Sequence, residues 1–430
     1  MPLPIICLEP APLQFAQTFV RCFTKPQWRH FVTVLLGFIQ CEERRTLRGL
    51  LRQVAGARAL ASLSRFFAQA PWSARQVAQA WLRRSRDQMI PLVEAAHAHQ
   101  RACRPKRVGR PKKTVVTGFL VIDDSPHEKP KGKVMEGLGV HYSTTEGKPV
   151  RGHSLLTGLY LLLGRRCPLP PLLYRQRVVA QAEGVRFRSK IDLAEKIIRT
   201  FRPVPGTHTH VLVDAWYTCK RLWKVARGRG FAFTGGLKGN CQLRVEGSQG
   251  WRRLSEYAAS LGPGQYQKVI WPAQQAPWEV WAYLVPACVR KLGRCQVLIV
   301  RDSLDAPIQQ ARYWVTSERN ASLEEVIGWA AKCWEIETFF GDVKELLGTD
   351  HYQVQSATAL LRFWHLAFCT YLYLDEVRAQ LAVQRPDNHI TIGDARRYQQ
   401  ALHRQRFLEW AWHRYQQGAT PQQVYAQLAA

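Results

Sequence analysis

Residues 115–125 read VVTGFLVIDDS, an apolar run that stops at two neighbouring aspartates. A short run rich in Val, Phe, Leu and Ile, followed directly by polar residues, predicts a buried β-strand. Residues 210–214, HVLVD, repeat this pattern, and residues 154–163 form another apolar run. Between these runs, residues 190–201 carry apolar side chains at helical spacing. Strands that alternate with helices predict an α/β sheet.

Helical patterns flank this predicted sheet. Residues 27–92 carry apolar side chains at helical spacing with basic side chains between them, and the chain is helical again from 323 to 347 and on to 430. Short helices with basic faces suit DNA docking, although a solvated surface has the same pattern. The stretch from about 231 to 316 is rich in glycine and paired aromatics instead, which indicates a β-rich insertion.

These patterns divide the chain into six predicted segments. They are a helical N-terminal DNA-binding region (1–100), a basic linker (101–113), the first part of the α/β core (114–230), the β-rich insertion (231–318), a core helix (319–356) and a helical C-terminal region (357–430).

The charge of the chain predicts a polyanionic partner. The 430 residues include 61 Lys and Arg against 32 Asp and Glu, a formal net charge of +29. Self-repulsion of that size destabilises a compact protein unless an anion neutralises it, and nucleic acid is the usual one. An anionic membrane is the rival, but the start MPLP lacks a signal-peptide pattern, and the apolar run 357–374 contains Arg362 and His365. We expect a cytoplasmic protein that does not enter a membrane.

The most basic stretch is the predicted linker, which contains no acidic residue. Its cations are Arg101, Arg104, Lys106, Arg107, Arg110, Lys112 and Lys113. Pro105 and Pro111 keep the backbone extended. Residues 108–112, VGRPK, are one residue away from a minor-groove hook, in which arginines follow an extended core along an A·T-rich groove. A hook and a plain charged linker remain alternatives, and we expect either to lie near phosphates.

Two aspartates and one glutamate are the candidate catalytic groups. Asp123 and Asp214 each follow an apolar strand, where ligands gather in an open α/β sheet. Two such acids and a third can hold two Mg²⁺ ions about 3.5–4 Å apart. Glu337, in the helical segment WEIETFFGDVK at 334–344, shares a helix face with Lys344. Surface turns for the aspartates and a structural ion pair for Glu337 and Lys344 are the alternatives.

The order of several motifs resembles the DDE transposases of bacterial insertion sequences, which have an RNase H-like catalytic core. The motifs are FFAQAPW at 66–72, IDDS at 122–125, VDAWY at 213–217, WEIE at 334–337, Lys344, and LGTDHY at 347–352. Each motif alone is weak, but their order, with a β-rich insertion before the glutamate helix, is a specific combination.

This resemblance implies that Asp123, Asp214 and Glu337 are the catalytic residues and ligands of two Mg²⁺ or Mn²⁺ ions. Asp123 is preferred to Asp124 because the family pattern is Asp-x-Ser/Thr and because neighbouring strand side chains point to opposite faces. Lys344 would contact the DNA backbone. The implied protein cuts and joins double-stranded DNA at terminal inverted repeats, as a homodimer on DNA, in the bacterial cytoplasm at the nucleoid.

The sequence also departs from the family. Ala330 and Cys333 stand where related enzymes often carry a Tyr and an Arg, and Lys332 cannot reproduce the bidentate phosphate grip of an arginine. A transposase-derived DNA-binding protein that no longer cuts is therefore the alternative function. A host RNase H-like nuclease is a third interpretation, which does not explain the long basic N-terminal region.

Two tryptophans of the insertion are candidates for stacking on an extruded DNA base. Trp278 and Trp281 are three residues apart, so on a regular strand they point to opposite faces. We expect one of them to face the catalytic groove, because a base taken out of the helix needs an aromatic surface. The alternative is that they form the aromatic core of a small β layer.

Overall fold

A mixed β-sheet runs through the chain from residue 116 to residue 316. The computed structural model describes residues 10–54, 59–103, 115–143, 146–272 and 276–429. Its strands are β1 (Val116–Glu128), β2 (Gly139–Ser143), β3 (Lys148–Leu162), β4 (Arg165–Pro168), β5 (Leu172–Tyr174), β6 (Thr207–Val213), β7 (Ala232–Leu237), β8 (Gln242–Val245), β9 (Arg252–Arg253), β10 (Gln267–Trp271), β11 (Trp278–Val289), β12 (Gly293–Arg301) and β13 (Arg312–Thr316). Its helices are α1 (Pro10–Gln17), α2 (Lys25–Gln40), α3 (Leu47–Leu51), α4 (Leu60–Ala68), α5 (Ala74–Ala102), α6 (Arg177–Ala182), α7 (Lys190–Thr200), α8 (Lys220–Gly228), α9 (Leu254–Ala259), α10 (Leu323–Lys332), α11 (Glu335–Glu345), α12 (Ala357–Gln384), α13 (Ile392–Gln416) and α14 (Pro421–Ala429).

The order of the strands explains how the sheet is built. It is β2-β3-β1-β6-β7-β13-β12-β11-β8-β9, with β4 and β5 paired to β3 and β10 paired to β11. β6 lies parallel to β1, and β7 lies parallel to β6, whereas β3 is antiparallel to β1. Helix α7 precedes β6 and helix α8 connects β6 to β7. This alternation of strands and helices confirms the predicted α/β class.

Strand β1 is longer than the sequence predicts. The apolar run predicts a strand that ends at Ile122, but β1 continues through Asp123 to Glu128. Its parallel pairing with β6 stops where Ile122 lies opposite Val213, whereas its antiparallel pairing with β3 continues to Glu128. Because β3 satisfies the backbone of these polar residues, the strand does not end with the apolar run. Asp123 therefore lies at the end of the parallel ladder and in the middle of the strand.

The predicted β-rich insertion continues the same sheet. Its first strand, β7, pairs in parallel with β6 and so belongs to the parallel part of the sheet. Strands β13, β12 and β11 then follow as antiparallel neighbours on the other side of β7. The segment predicted as 231–318 thus includes one strand of the core, and the added strands extend the sheet edge instead of forming a separate layer.

Residue parity along β1 separates the two faces of the sheet, because successive strand side chains point to opposite sides. Leu120 lies on the same side as Ile197 of α7, against β3. Phe119 stacks on His210, and His210 packs against the ring of Trp329 in α10. Odd-numbered residues of β1 therefore face α10 and α11, and even-numbered residues face α7.

Helices from both ends of the chain pack around α12 and share one core with the sheet. Arg362 of α12 donates hydrogen bonds to three backbone carbonyls around the end of α4. Arg396 of α13 donates to two carbonyls at the end of α2. These buried guanidinium groups satisfy carbonyls that helix ends leave without an intrahelical partner. The run 357–374 is a buried helix, as predicted, and none of the helices in the described ranges is long and apolar enough to cross a membrane.

Candidate active site

Three carboxylates from three elements lie around the end of the parallel ladder. Asp123 lies in β1, Asp214 follows β6 directly, and Glu337 lies in the first turn of α11. Asp123 and Asp214 each follow the last pair of residues that joins β1 to β6. Asp123 is odd-numbered and faces the side of the sheet on which α11 packs. Asp123 is half-buried, whereas Asp214 and Glu337 are exposed.

The charges of these residues act on one another. Burial raises the pKa of Asp123 well above its usual range, and the carboxylates of Asp214, Asp124 and Glu337 raise it further. A hydrogen bond of 2.8 Å from the backbone N–H of Asp124 opposes this rise. Burial also raises the pKa of Asp214. Because Coulomb energy falls with distance, these effects mean that the carboxylates lie close together. We call Asp123, Asp214 and Glu337 the acidic cluster.

Asp124 is held on the opposite side of β1. Its Oδ1 accepts a hydrogen bond of 2.5 Å from the phenol of Tyr217. Its Oδ2 accepts from the hydroxyl of Ser154 at 2.9 Å and from the Nζ of Lys190 at 2.6 Å. Both carboxylate oxygens are therefore engaged by protein groups. The choice of Asp123 over Asp124 as a metal ligand stays a prediction, and these contacts give it a physical basis.

A tight turn fixes the side chain of Asp214. Its Oδ1 accepts backbone hydrogen bonds from Trp216 at 3.0 Å and from Tyr217 at 2.9 Å. The hydroxyl of Thr218 donates to the carbonyl of Asp214 at 2.9 Å. Aspartate is suited to such a turn because its short side chain can bond the backbone two residues on. The carboxylate is thus oriented by local backbone before any ligand binds.

Two glycines of β7 allow this turn to lie directly against the sheet. A Cβ atom on Gly235 would lie 2.1 Å from the Oγ1 of Thr218, and one on Gly236 would lie 2.8 Å from the backbone nitrogen of Ala215. Any larger side chain would displace the turn that carries Asp214. Neither glycine is among the residues predicted from the sequence, although glycine inside a strand marks close backbone approach.

The helix that carries Glu337 differs from the prediction of one continuous helix over 323–347. Helix α10 begins at Leu323, as predicted, and Ser322 and Glu325 form a capping box at this end. The helix is interrupted at Cys333 and Trp334, and α11 starts after them. The backbone N–H groups of Cys333, Trp334 and Glu337 bond three residues back, at 3.2, 3.1 and 3.0 Å, which tightens this turn. The tightened turn places Glu337 at the start of a new helix.

The start of α11 is anchored to the edge of the sheet. Arg166 of β4 forms an ion pair of 3.0 Å with Glu335, and both side chains are largely buried. Burial opposes the charged form of Arg166, but Tyr371, Glu335 and two further acids raise its pKa above the usual range. Arg166 therefore holds the turn that precedes Glu337, and no sequence motif predicts this role.

Lys344 lies farther along α11 among acidic side chains. Burial lowers its pKa, and the carboxylates of Asp350, Glu337 and Glu128 raise it. The electrostatic relation between Glu337 and Lys344 is therefore present, with Asp350 as the stronger partner. Contact of Lys344 with a DNA backbone stays a prediction.

The predicted DNA-binding linker begins in the last turn of α5, which ends at Ala102. Its residues Arg104, Lys106, Arg107, Arg110, Lys112 and Lys113 lie outside the described residues. The described chain reaches Cys103 at the end of α5 and resumes at Val115, next to β1. The linker residues remain predicted phosphate contacts.

The two tryptophans of the insertion point to opposite faces of β11, as their spacing predicts. Trp278 is 41% exposed and contacts Trp271, whose ring packs on the α10 side of the sheet. Trp281 packs on the other side. Four strands separate β11 from β1, so Trp278 lies on the order of 24 Å from β1 along the sheet. Stacking of either ring on DNA stays a prediction.

Two other exposed tryptophans lie beside the acidic cluster. Trp216 is 51% exposed and follows Asp214 by two residues, and Trp334 is 72% exposed and precedes Glu337 by three. Their spacing from the acids is visible in the sequence, but nothing in the sequence predicts that their rings are exposed.

The acidic cluster is not arranged as a finished metal site. Within the described ranges, no three His, Cys, Asp or Glu side chains are grouped so that they could hold a metal ion as they stand. The sequence predicts that Asp123, Asp214 and Glu337 come within reach of shared ions. They interact electrostatically, and their binding of shared ions stays a prediction.

Comparisons with known proteins identify the class of this fold and site. A family model for DDE superfamily endonucleases matches residues 18–255, more than half of the chain, and the chain belongs to this family. A second model, for the transposase DDE domain, matches residues 178–373. The protein is a DDE transposase with an RNase H-like fold, as the sequence motifs predict. The comparison with curated proteins finds no match.

Proposed function

We propose that this DDE transposase cuts and joins double-stranded DNA at the terminal inverted repeats of an insertion sequence, with Asp123, Asp214 and Glu337 as ligands of two Mg²⁺ or Mn²⁺ ions. The acidic cluster is the observation that carries this proposal. Burial and then the carboxylates of Asp214, Asp124 and Glu337 raise the pKa of Asp123, so negative charge is concentrated at this position. Two of the three acids are exposed and accessible to a DNA phosphate.

The donor set fits these ions. Mg²⁺ prefers carboxylate and water oxygens and needs few protein ligands, and the three acids offer only oxygens. A cation among them relieves the repulsion that burial makes costly at Asp123. When bound, such ions lower the pKa of an attacking water or 3′-hydroxyl and neutralise the leaving oxygen.

The protein residues supply orientation. The turn after β6 bonds Oδ1 of Asp214 to two backbone N–H groups, which orients the carboxylate. Asp124, held by Lys190 and Tyr217, braces β1 against this turn from the opposite face. Arg166 fixes the start of α11 and therefore the position of Glu337. Asp124 and Arg166 act through their neighbours, as positioning residues.

DNA contacts outside the acidic cluster complete the proposal. The linker cations and Lys344 bind phosphates, and the enzyme acts as a homodimer on DNA, with one copy at each transposon end. One of Trp278 and Trp281 stacks on an extruded base, for which the exposed Trp278 on the α10 face is the better placed. The net charge of +29 supports this polyanionic partner.

A second function, DNA binding without cleavage, is favoured by one observation. Ala330 is buried under the sheet, and the thiol of Cys333 contacts the backbone carbonyl of Val213 at 3.9 Å. Neither residue can replace the Tyr and Arg that related enzymes carry at these positions. A transposase-derived DNA-binding protein would keep the fold and the basic surface and would leave the acidic cluster unused.

Cleavage of a duplex that carries the element ends tests the proposal. The full chain is incubated with the repeats that flank its gene, in Mg²⁺, Mn²⁺, Ca²⁺ or EDTA, and strand breaks are mapped on a sequencing gel. Breaks at the repeat ends in Mg²⁺ or Mn²⁺ alone support the transposase. Tight binding to the repeats without breaks in either ion would establish the non-cleaving alternative.

A further inference from the structure

A large basic groove lies between α5 and α7, on the far side of the sheet from the acidic cluster. It encloses about 1800 Å³, and its walls come from α5, from the segment after β4, and from α7 with its flanking segments. Ten arginine and lysine side chains line it, against one carboxylate, Asp87. The floor is apolar, with residues such as Leu169 and Phe201. Low-dielectric walls lined by charges of one sign focus the electric field into a cleft.

One wall carries a regular row of cations. Arg75, Arg83 and Arg86 lie on α5 within one helical stripe, together with Gln79. Arg75 and Arg83 are exposed and Arg86 is half-buried. In the part of the chain that the structure describes, none of these three arginines forms an ion pair, whereas Arg84 between them pairs with an acid of α12. The row therefore keeps its charge available to a ligand.

The opposite wall repeats the pattern. Arg186, Arg188 and Lys196 are exposed there, just before and within α7. The pKa of Lys196 is lowered first by burial and then by the charges of Arg188 and Arg75, so cations of the two walls repel each other across the groove. A folded protein tolerates such crowding of like charges at a cost, which a bound polyanion removes.

The groove is separate from the catalytic face. Its α7 wall packs on the side of the sheet that even-numbered residues of β1 face, where Leu120 lies near Ile197. Asp123 is odd-numbered and faces α11 on the other side. A duplex whose phosphate lies at the acidic cluster therefore leaves this groove empty.

We propose that the groove binds the phosphate backbone of a second DNA duplex segment, other than the one that is cut. Arg75 and Arg86 are eleven residues apart, so the row spans about 16 Å along α5. That length matches the rise of about five base pairs of B-DNA. Arginine forks suit phosphate oxygens. Glutamates beside the groove pair with Arg175 and Arg199, whereas the three arginines of the row on α5 have no such partner in the described chain. RNA or an acidic protein would meet the same charges, and the cross-linking experiment below distinguishes them from duplex DNA.

Salt dependence of duplex binding tests this proposal on the full chain in EDTA, where cleavage plays no part. The groove variant carries Arg75→Gln, Arg83→Gln and Arg86→Gln together. The control variant removes the same charge at the β11–β12 hairpin, with Arg290→Gln, Lys291→Gln and Arg294→Gln. The slope of log K against log salt is negative. We expect it to become less negative by about 2.7 in the groove variant and by much less in the control. Melting temperatures check that both variants fold.

A photo-cross-linking amino acid in place of Gln79 gives a second measurement. Duplex DNA should cross-link at this position, and a duplex held at the acidic cluster in Ca²⁺ should not compete with it. Equal slopes in the groove and control variants, with no cross-link at position 79, would overturn the proposal. Preferential cross-linking to RNA or to an acidic protein would overturn it as well. Because binding is measured without metal, failure of cleavage at the repeats would leave this result intact.

Discussion

Tyr217 donates its phenolic hydrogen to Oδ1 of Asp124 across 2.5 Å, and so joins β1 to the turn that follows β6. The backbone N–H of Tyr217 also bonds Oδ1 of Asp214 at 2.9 Å. Burial and then the charge of Asp124 raise the pKa of this phenol, which keeps it protonated as a donor. One residue therefore fixes the distance between β1 and the turn that carries Asp214.

This arrangement predicts different results for the two neighbouring aspartates. Asp123→Asn, Asp214→Asn and Glu337→Gln should each abolish cleavage and leave duplex binding within about twofold, because phosphate docking uses other groups. Asp124→Asn and Tyr217→Phe should lower the cleavage rate about 10- to 100-fold, as expected for residues that orient a ligand. Single-turnover nicking and fluorescence anisotropy measure the two effects. An active Asp123→Asn with an inactive Asp124→Asn would reverse the assignment.

The glycine pair of β7 predicts a further loss of activity. Gly236→Ala places a Cβ 2.8 Å from the backbone nitrogen of Ala215, so the turn of Asp214 must shift. We expect a large loss of cleavage and a loss of about 1–3 kcal/mol in the free energy of unfolding, typical of overpacking.

Gly341→Ala is the matched control in α11. A Cβ at Gly341 meets no atom within 4 Å, and alanine favours a helix by about 1 kcal/mol. This variant should be at least as stable as the natural chain and retain cleavage. Equal activity of the two variants would show that the turn of Asp214 tolerates displacement.

Local periodicity explains which features the sequence could predict. The alternation along β1 separates Asp123 from Asp124, and helical spacing identifies α7 and the buried start of α12, because these patterns depend only on neighbouring residues. Asp123 and Asp214 could be predicted for the same reason, since both follow apolar runs. Glu337 was assigned to the same site from the resemblance to the DDE transposases.

Long-range pairing explains what the sequence could not predict. β1 continues past its apolar run because β3, more than twenty residues later, satisfies its backbone. No residue around Cys333 is a helix breaker, yet the helix is interrupted there. At this interruption the thiol of Cys333 contacts the backbone carbonyl of Val213. The groove between α5 and α7 combines cations about a hundred residues apart, which no local pattern connects.

The basic linker predicts the salt dependence of DNA binding. A variant without the linker charges combines Arg107→Gln, Arg110→Gln, Lys112→Gln and Lys113→Gln. Its slope of log K against log salt should be less negative by up to about 3.6, since each neutralised phosphate contributes about −0.9. The β11–β12 hairpin variant gives the effect of charge removal away from the linker. An unchanged slope would mean that the linker faces solvent when DNA is bound.

Tryptophan substitutions test base stacking. If Trp278 stacks on an extruded base, Trp278→Ala should nick a transposon end normally but fail to form the hairpin product from a pre-nicked end, because about 1–3 kcal/mol of stacking is lost. Trp281→Ala, on the opposite face, is the control. Trp216→Ala is measured in parallel, since its exposed ring lies beside Asp214. Hairpin loss in Trp216→Ala alone would move the stacking role to the acidic cluster.

A buried histidine predicts how stability depends on pH. His153 of β3 is completely buried, with Nδ1 2.7 Å from the hydroxyl of Tyr352 and Nε2 3.0 Å from the carbonyl of Glu136. Burial lowers its pKa to about 4, although the hydrogen bond to the carbonyl of Glu136 opposes this shift, and Lys129, His141 and Arg175 lower it further. In the unfolded chain the pKa of histidine is about 6.5.

The stabilising effect of neutral His153 is therefore fully present above about pH 6.5 and is lost as the pH falls towards 4, because the unfolded chain binds a proton that the folded chain refuses. Urea unfolding at a series of pH values measures this effect. His153→Gln should be less stable at pH 7, since it disturbs two buried hydrogen bonds, but its stability should fall less steeply, by up to about 1.4 kcal/mol per pH unit between pH 6 and pH 4.5. His389→Gln, at an exposed position, is the control. Parallel curves for His153→Gln and the natural chain would mean that His153 takes up its proton without unfolding.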